Sequence, residues 1–227
     1  MRAQNKAEEF LKKGDAKLGL AHKSGAIHDY TKAIEIDPNL AMAYHNRGVA
    51  KYKLSDYEGA IEDYTKATEI NPNFGIAHFN CGIAKRSSME YNGAIEEFNK
   101  AIEIDPGKAN AYFYRGLAKE SLKDYSGAVK DYNKVIELKP SYAWAYSERG
   151  LAKIIAEDYA GALYDYTKVI GINPKDTVAF VFRGNVKLRL GDIDGAVLDW
   201  GRAGELGYTE ADLLIKDNCR SDQKVIS

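Results

Sequence analysis

The five prolines of the chain stand 34 residues apart, at Pro38, Pro72, Pro106, Pro140 and Pro174. A Gly-Ala pair keeps the same interval, from Gly25-Ala26 through Gly59-Ala60, Gly93-Ala94, Gly127-Ala128 and Gly161-Ala162 to Gly195-Ala196. So does a second glycine, at Gly14, Gly48, Gly82, Gly116, Gly150 and Gly184. A fixed period of this length means one supersecondary unit copied along the chain. A single copy cannot cover its own apolar face, so each serves as the lid of the one before.

With the second glycine set at position 8, six units run 7–40, 41–74, 75–108, 109–142, 143–176 and 177–210. In the first half of each unit, positions 4, 8 and 11 share one side of a helix. Glycine inside a helix costs about 0.5–1 kcal/mol relative to alanine, so six copies imply a packing role. A second helix is expected to approach there, with Ala60 and its equivalents as the facing small surface. In that second helix Ala60, Tyr64 and Ala67 fall at i, i+4 and i+7, a single apolar stripe. Asp56, Asp124, Asp158 and Asp192 stand just before it, where a carboxylate accepts from free backbone N–H groups. The proline closes the unit, because the residue before it is driven out of helical geometry.

These residues, with Tyr44, Gly48, Tyr57 and Pro72 in the second unit, resemble the tetratricopeptide repeat family over nearly the whole chain. The closing run is similar to that of bacterial members. The resemblance implies an all-α fold, a right-handed superhelical solenoid of antiparallel helix pairs with a concave inner face. The chain departs from the family at positions 7 and 11, where a large apolar residue and an aromatic are usual. Position 7 reads Lys13, Arg47, Cys81, Arg115, Arg149 and Arg183, and position 11 is lysine throughout, from Lys17 and Lys51 to Lys187. Position 23 is acidic with the same strictness: Asp29, Asp63, Glu97, Asp131, Asp165 and Asp199. The bases and acids are expected to pair within or between units, the alternative being a basic stripe for an anionic ligand. Cys81 in place of arginine reads as a plain variant position, the alternative being a third carboxylate left unpaired.

In the family the groove is lined mainly from positions 2, 5, 9, 12 and 13 of the first helices. Here these include Met42, His45 and Val49, then Ile76, Phe79 and Ile83, then Asn110, Phe113 and Leu117, then Trp144 and Leu151. A contiguous apolar surface of this kind marks an interaction site. The expected function is a protein–protein interaction scaffold that takes a hydrophobic or amphipathic peptide segment of a partner protein in its groove. The alternative is a self-assembling structural protein, a homo-oligomer joined through its ends. One mode of the family, a clamp on the C-terminal carboxylate of a chaperone, needs lysine at position 5 and asparagine at position 9. Position 5 has no lysine, and position 9 has asparagine only at Asn185.

Other classes find little support. The 32 basic and 33 acidic side chains give no electrostatic footprint for nucleic acid or an anionic membrane surface. No apolar run approaches the ~18 residues that span a bilayer. The opening MRAQNKAEEFLKKGD shows no targeting segment, and a cytoplasmic location is favoured. His22, His28, His45 and His78 occupy four different positions without ligand spacing, and read as surface or turn variants. Gly-rich phosphate loops are missing. The chain therefore reads as no enzyme, with no cofactor and no metal. Cys81 and Cys219 read as free thiols. Glu8, Glu9, Lys12 and Asp15 make a polar N-terminal cap, residues 211–219 with Leu213, Leu214 and Ile215 make a capping helix, and 220–227 make a flexible tail.

Overall fold

The computed structural model describes residues 2–219, so the expected tail at 220–227 lies outside the described residues. Among those residues every regular element is an α-helix. The chain forms two compact units, 1–122 and 123–227. The first contains α1 (Arg2–Gly19), α2 (Lys23–Ile36), α3 (Ala41–Tyr52), α4 (Tyr57–Ile70), α5 (Gly75–Ser87), α6 (Tyr91–Ile104) and α7 (Ala109–Ser121). The second contains α8 (Tyr125–Leu138), α9 (Ala143–Ile155), α10 (Tyr159–Ile172), α11 (Thr177–Arg189), α12 (Ile193–Glu205) and α13 (Ala211–Cys219). Inside each unit every helix packs on the next in sequence.

The helix boundaries follow from named residues. Asp56, Asp124, Asp158 and Asp192 each accept a hydrogen bond from the backbone N–H three residues on, at 2.9–3.0 Å. Asp176 does the same for α11, through Ala179 N at 2.9 Å. Glu90, one methylene longer, makes no such bond at the start of α6. At the other end Asp37, Asn71, Asp105 and Asn173 precede prolines and turn extended, with φ from −128° to −136°.

The turn inside each repeat holds position 15 in the left-handed region: Ala21, Ser55, Met89, Lys123, Glu157 and Gly191 all have positive φ. Five of these are not glycine, at about 1 kcal/mol or more of backbone strain apiece. The return is a closed turn. The N–H at position 16 reaches back to the lysine carbonyl at position 11, as in Asp56 to Lys51 at 3.1 Å and Asp192 to Lys187 at 2.9 Å.

The position 8 glycine makes room for the aromatic at position 24, and not chiefly for the small alanine surface expected from the sequence. A Cβ on Gly48 would lie 2.8 Å from the Tyr64 ring, one on Gly82 2.7 Å from Phe98, and one on Gly184 2.6 Å from the Trp200 indole. Those rings are fully or almost fully buried. Each is among the largest fully buried side chains of the chain's described residues, worth about 1.5–3 kcal/mol of burial for a ring of this size. Alanines complete the core around them. Examples are Ala94, Ala101, Ala111 and Ala118 around Phe98 in the first unit, and Ala162 and Ala179 around Tyr166 in the second.

Candidate functional site

The basic and acidic rows meet inside the hairpins. Asp63 is nearly buried and receives Arg47 through two parallel bonds, 3.0 and 2.7 Å, while Lys51 closes on the same carboxylate at 2.9 Å. Asp165 and Asp199 repeat the arrangement with Arg149 and Lys153, and with Arg183 and Lys187. The guanidinium also reaches the preceding repeat: Arg47 Nη1 donates to Thr31 at 3.1 Å and Arg115 Nη1 to Asn99 at 2.7 Å. It lies over the aromatic ring three residues earlier, Arg47 over Tyr44 and Arg183 over Phe180, both at 5.5 Å. One arginine thus fixes its own hairpin, its own helix face and the neighbouring repeat. These cations are committed to carboxylates, which removes the basic stripe as a site for an anionic ligand.

The third repeat replaces every member of the set except the lysine, which stays as Lys85. Cys81 stands for the arginine, His78 for the aromatic and Glu97 for the aspartate. Glu97 is not left unpaired: His78 Nδ1 lies 2.7 Å from it, Lys100 3.2 Å and Lys85 3.4 Å. Burial alone would raise the Glu97 carboxyl, but the bonds from His78 and Lys100 and the charge of Lys85 hold it below its ordinary value. His78 Nε2 is also 3.0 Å from the Pro72 carbonyl. Both partners of the ring, the Glu97 carboxylate and the Pro72 carbonyl, are acceptors. His45 is the converse. Its Nδ1 donates to Asn46 Oδ1 at 2.8 Å and its Nε2 accepts from the Asn80 amide at 3.0 Å, a pattern that fits neutral imidazole. Burial holds His45 below its ordinary value. Both rings are buried, so the expected surface or turn placement fails for His45 and His78. Burial also pushes the Cys81 thiol up to about 11, which leaves it protonated and unreactive at neutral pH.

The inner-face positions divide by depth. In the first unit Met42, Ile76 and Asn110 at position 2 are exposed. His45, Phe79 and Phe113 at position 5 are buried, with 7–9% of their surface left exposed. Each is held by neighbouring rings: His45 by Phe74 at 5.1 Å, Phe79 by Phe98 at 5.9 Å and Tyr114 by both phenylalanines, 5.7 Å from Phe79 and 5.8 Å from Phe113. Val49, Ile83 and Leu117 at position 9 are half-buried, the first two leaning on core clusters. In the second unit Leu151 is half-buried, while Trp144 is 67% exposed. Trp144 shares a cavity of about 250 Å³ with Ser147 and Val178.

A larger cavity of about 730 Å³ lies at the opposite ends of α9 and α11, lined by Ile154, Phe182, Asn185, Leu188, Arg189 and Asn218. Ile154 and Leu188 fall on inner position 12 and Asn185 on position 9, but repeat spacing does not show this hollow, because Asn218 comes from α13, beyond the repeat. Among the described residues no group of three or more His, Cys, Asp or Glu is placed to hold a metal ion, and no helix is long and apolar enough to cross a membrane.

Stacked helical hairpins with a 34-residue period, glycine-to-aromatic contacts and proline stops define a helical-repeat protein of the protein-interaction class. The chain belongs to the tetratricopeptide repeat family. The profile described as tetratricopeptide repeat matches residues 41–74, and that described as TPR repeat matches 24–55, 86–123 and 121–153. The sequence matches no curated protein. Among solved structures it is similar to MamA, with 27% identity, 76% of this chain and 94% of that one covered, and a TM-score of 0.71. It also shares its fold with YrrB, a TPR protein with an unusual peptide-binding site (21% identity, 83% and 97% covered, TM-score 0.72). Pseudomonas aeruginosa pilF is a third example (18% identity, 96% and 100% covered, TM-score 0.75).

Proposed function

We propose that the chain is a non-enzymatic scaffold that binds a hydrophobic or amphipathic peptide segment of a partner protein on the inner rows of its first helices. The observation that carries this reading is Trp144. An indole left 67% exposed beside a cavity shared with Val178 is the kind of amphipathic anchor on which binding energy concentrates. In the first unit Met42, Ile76 and Asn110 offer an exposed row of their own, with Val49, Ile83 and Leu117 as half-buried shoulders, and in the second unit Leu151 is half-buried on the helix that carries Trp144. His45, Phe79 and Phe113 serve as the floor beneath the first unit's row. The fold is one that YrrB also uses.

The chain carries two tryptophans, and Trp200 is fully buried, so a change in the emission of the exposed indole reports on this site. Titration with an amphipathic helical peptide of alternating Leu and Lys faces is expected to shift Trp144 emission to the blue. Trp144→Ala with Val178→Ser is expected to weaken capture by about tenfold or more, measured by calorimetry, at unchanged helicity. Capture that survives both changes contradicts the reading. A second reading, assembly through the ends, rests on Leu213, which α13 leaves exposed. Sedimentation across concentration separates the two, and a monomer at high concentration removes assembly.

A further inference from the structure

The outer face of the fifth repeat breaks a rule that the other repeats keep. Position 26 is Lys or Arg and position 29 is Glu in every repeat except the fifth, where Lys168 faces Gly171. Elsewhere the two pair across one helical turn: Lys32 with Glu35 at 2.9 Å, Lys66 with Glu69 at 3.0 Å and Lys134 with Glu137 at 2.6 Å. In the third repeat Lys100 turns instead to Glu97. Lys168 has no carboxylate partner among the described residues and lies over the Tyr164 ring at 5.2 Å. Position 22 changes too. It is charged or histidine through the fourth repeat and becomes Tyr164 in the fifth, where the ring is more than half exposed.

These changes open a cleft of about 850 Å³, walled by Pro140, Tyr146, Leu163, Tyr164 and Ile172, with Lys168 as its one charged side chain. A Cβ on Gly171 would meet nothing within 4 Å, so the glycine leaves real space. The same place in the first unit, under Pro72, holds Glu69, Glu97 and Glu103 along with Lys100 and His78. That cleft is rich in carboxylates, whereas the fifth-repeat cleft holds none and has Lys168 as its cation. We propose that this outer cleft is a docking site for a partner segment that carries an aromatic or aliphatic side chain next to a carboxylate. The apolar group enters between Leu163 and Ile172, and the carboxylate takes the place on Lys168 that glutamate fills in the other repeats. Charge complementarity selects the occupant, since the cleft offers a cation and no acid. The site lies on the second helix of the repeat, apart from the inner rows.

The probe is the peptide acetyl-Leu-Phe-Asp-amide, with its Asn counterpart, titrated into the ¹⁵N-labelled full chain. The expected result is amide shifts at Tyr164, Lys168 and Ile172, with the Asn peptide about three- to fivefold weaker. Gly171→Glu restores the pairing seen in the other repeats, at a position with space for it. It is expected to weaken the Asp peptide by about tenfold with an unchanged or higher melting temperature. Trp144→Ala is expected to leave this binding unaltered, which separates it from the inner face. An absence of shifts at millimolar peptide, equal affinity for the two peptides, or full binding by the Gly171→Glu variant would each overturn the proposal. Concentration-dependent dimerisation that Gly171→Glu abolishes would assign the cleft to a second copy of this chain instead, and so overturn it as well.

Discussion

In the second repeat Asp63 is gripped by Arg47 and Lys51; in the third, Glu97 occupies the same place and is gripped by His78, Lys85 and Lys100. The helices around them match, yet the residues differ at three positions together. The second repeat uses a planar fork that delivers two parallel bonds and still reaches the repeat before it. The third has lost that fork to Cys81, and a histidine from the ring position joins Lys85 and Lys100 on the carboxylate. A glutamate extends one carbon further to meet it. The buried carboxylate is the constant, and its partners adapt to whatever the sequence provides. A buried charge without a partner is too unfavourable to persist.

The comparison breaks most visibly by deletion. Asp63→Ala strands Arg47 and Lys51, both mostly buried, and is expected to lower stability by about 3–5 kcal/mol. Glu97→Ala leaves Lys85 and His78 mostly buried as well and frees only Lys100, which is half exposed, so a loss at the lower end of that range, about 3 kcal/mol, is expected. Urea denaturation of the two variants checks this, and equal losses would erase the distinction between forked and assembled clusters.

Acid sharpens it next. The Glu97 carboxyl is held below its ordinary value of 4.5. The stability it contributes is complete above that value and is lost as pH falls through the lower folded one. His45 is held below its ordinary 6.5 by burial, so its neutral form is favoured by folding. Its contribution is complete above 6.5 and fades as pH falls further. Melting temperature followed from pH 8 to 3 is expected to drop in two stages. His45→Gln should flatten the upper stage and Glu97→Gln the lower. A profile untouched by either substitution counts against the assigned bonds.

The smallest effect concerns the caps. Asp56 caps α4, whereas Glu90 makes no cap bond for α6. Asp56→Ala is expected to cost about 1 kcal/mol, Glu90→Ala nearly nothing, and Glu90→Asp to add up to about 1 kcal/mol. Thermal melts resolve these differences, and a loss from Glu90→Ala matching that from Asp56→Ala would deny the cap its role.

The fold was legible because period and chemistry agreed. Proline stops, aspartate caps and the paired basic and acidic rows each recur at 34 residues, and all have the expected local geometry. Three things were not legible. The left-handed turn at position 15 is filled by alanine, serine, methionine, lysine and glutamate, and only Gly191 signals it. The depth of position 5 depends on rings in neighbouring helices: Phe79 sinks because Phe98 and Tyr114 receive it, a relation that helical spacing does not encode. His78 looked like an isolated variant because its partner Glu97 is 19 residues away and its significance lies in Cys81. For the candidate site, spacing found the inner face that holds Trp144 and Val178 but could not separate its exposed position 2 from the position 5 residues that are buried in the first unit.

The most direct test is a thermodynamic cycle in the third repeat. Cys81→Arg is made alone, then together with His78→Tyr and Glu97→Asp, so that the triple variant carries the second repeat's set. If the carboxylate dictates its partners, the single change lowers stability by forcing a guanidinium into a place His78 already serves. The triple change then recovers the loss, with a coupling of about 1–3 kcal/mol. Three effects that simply add would contradict the account.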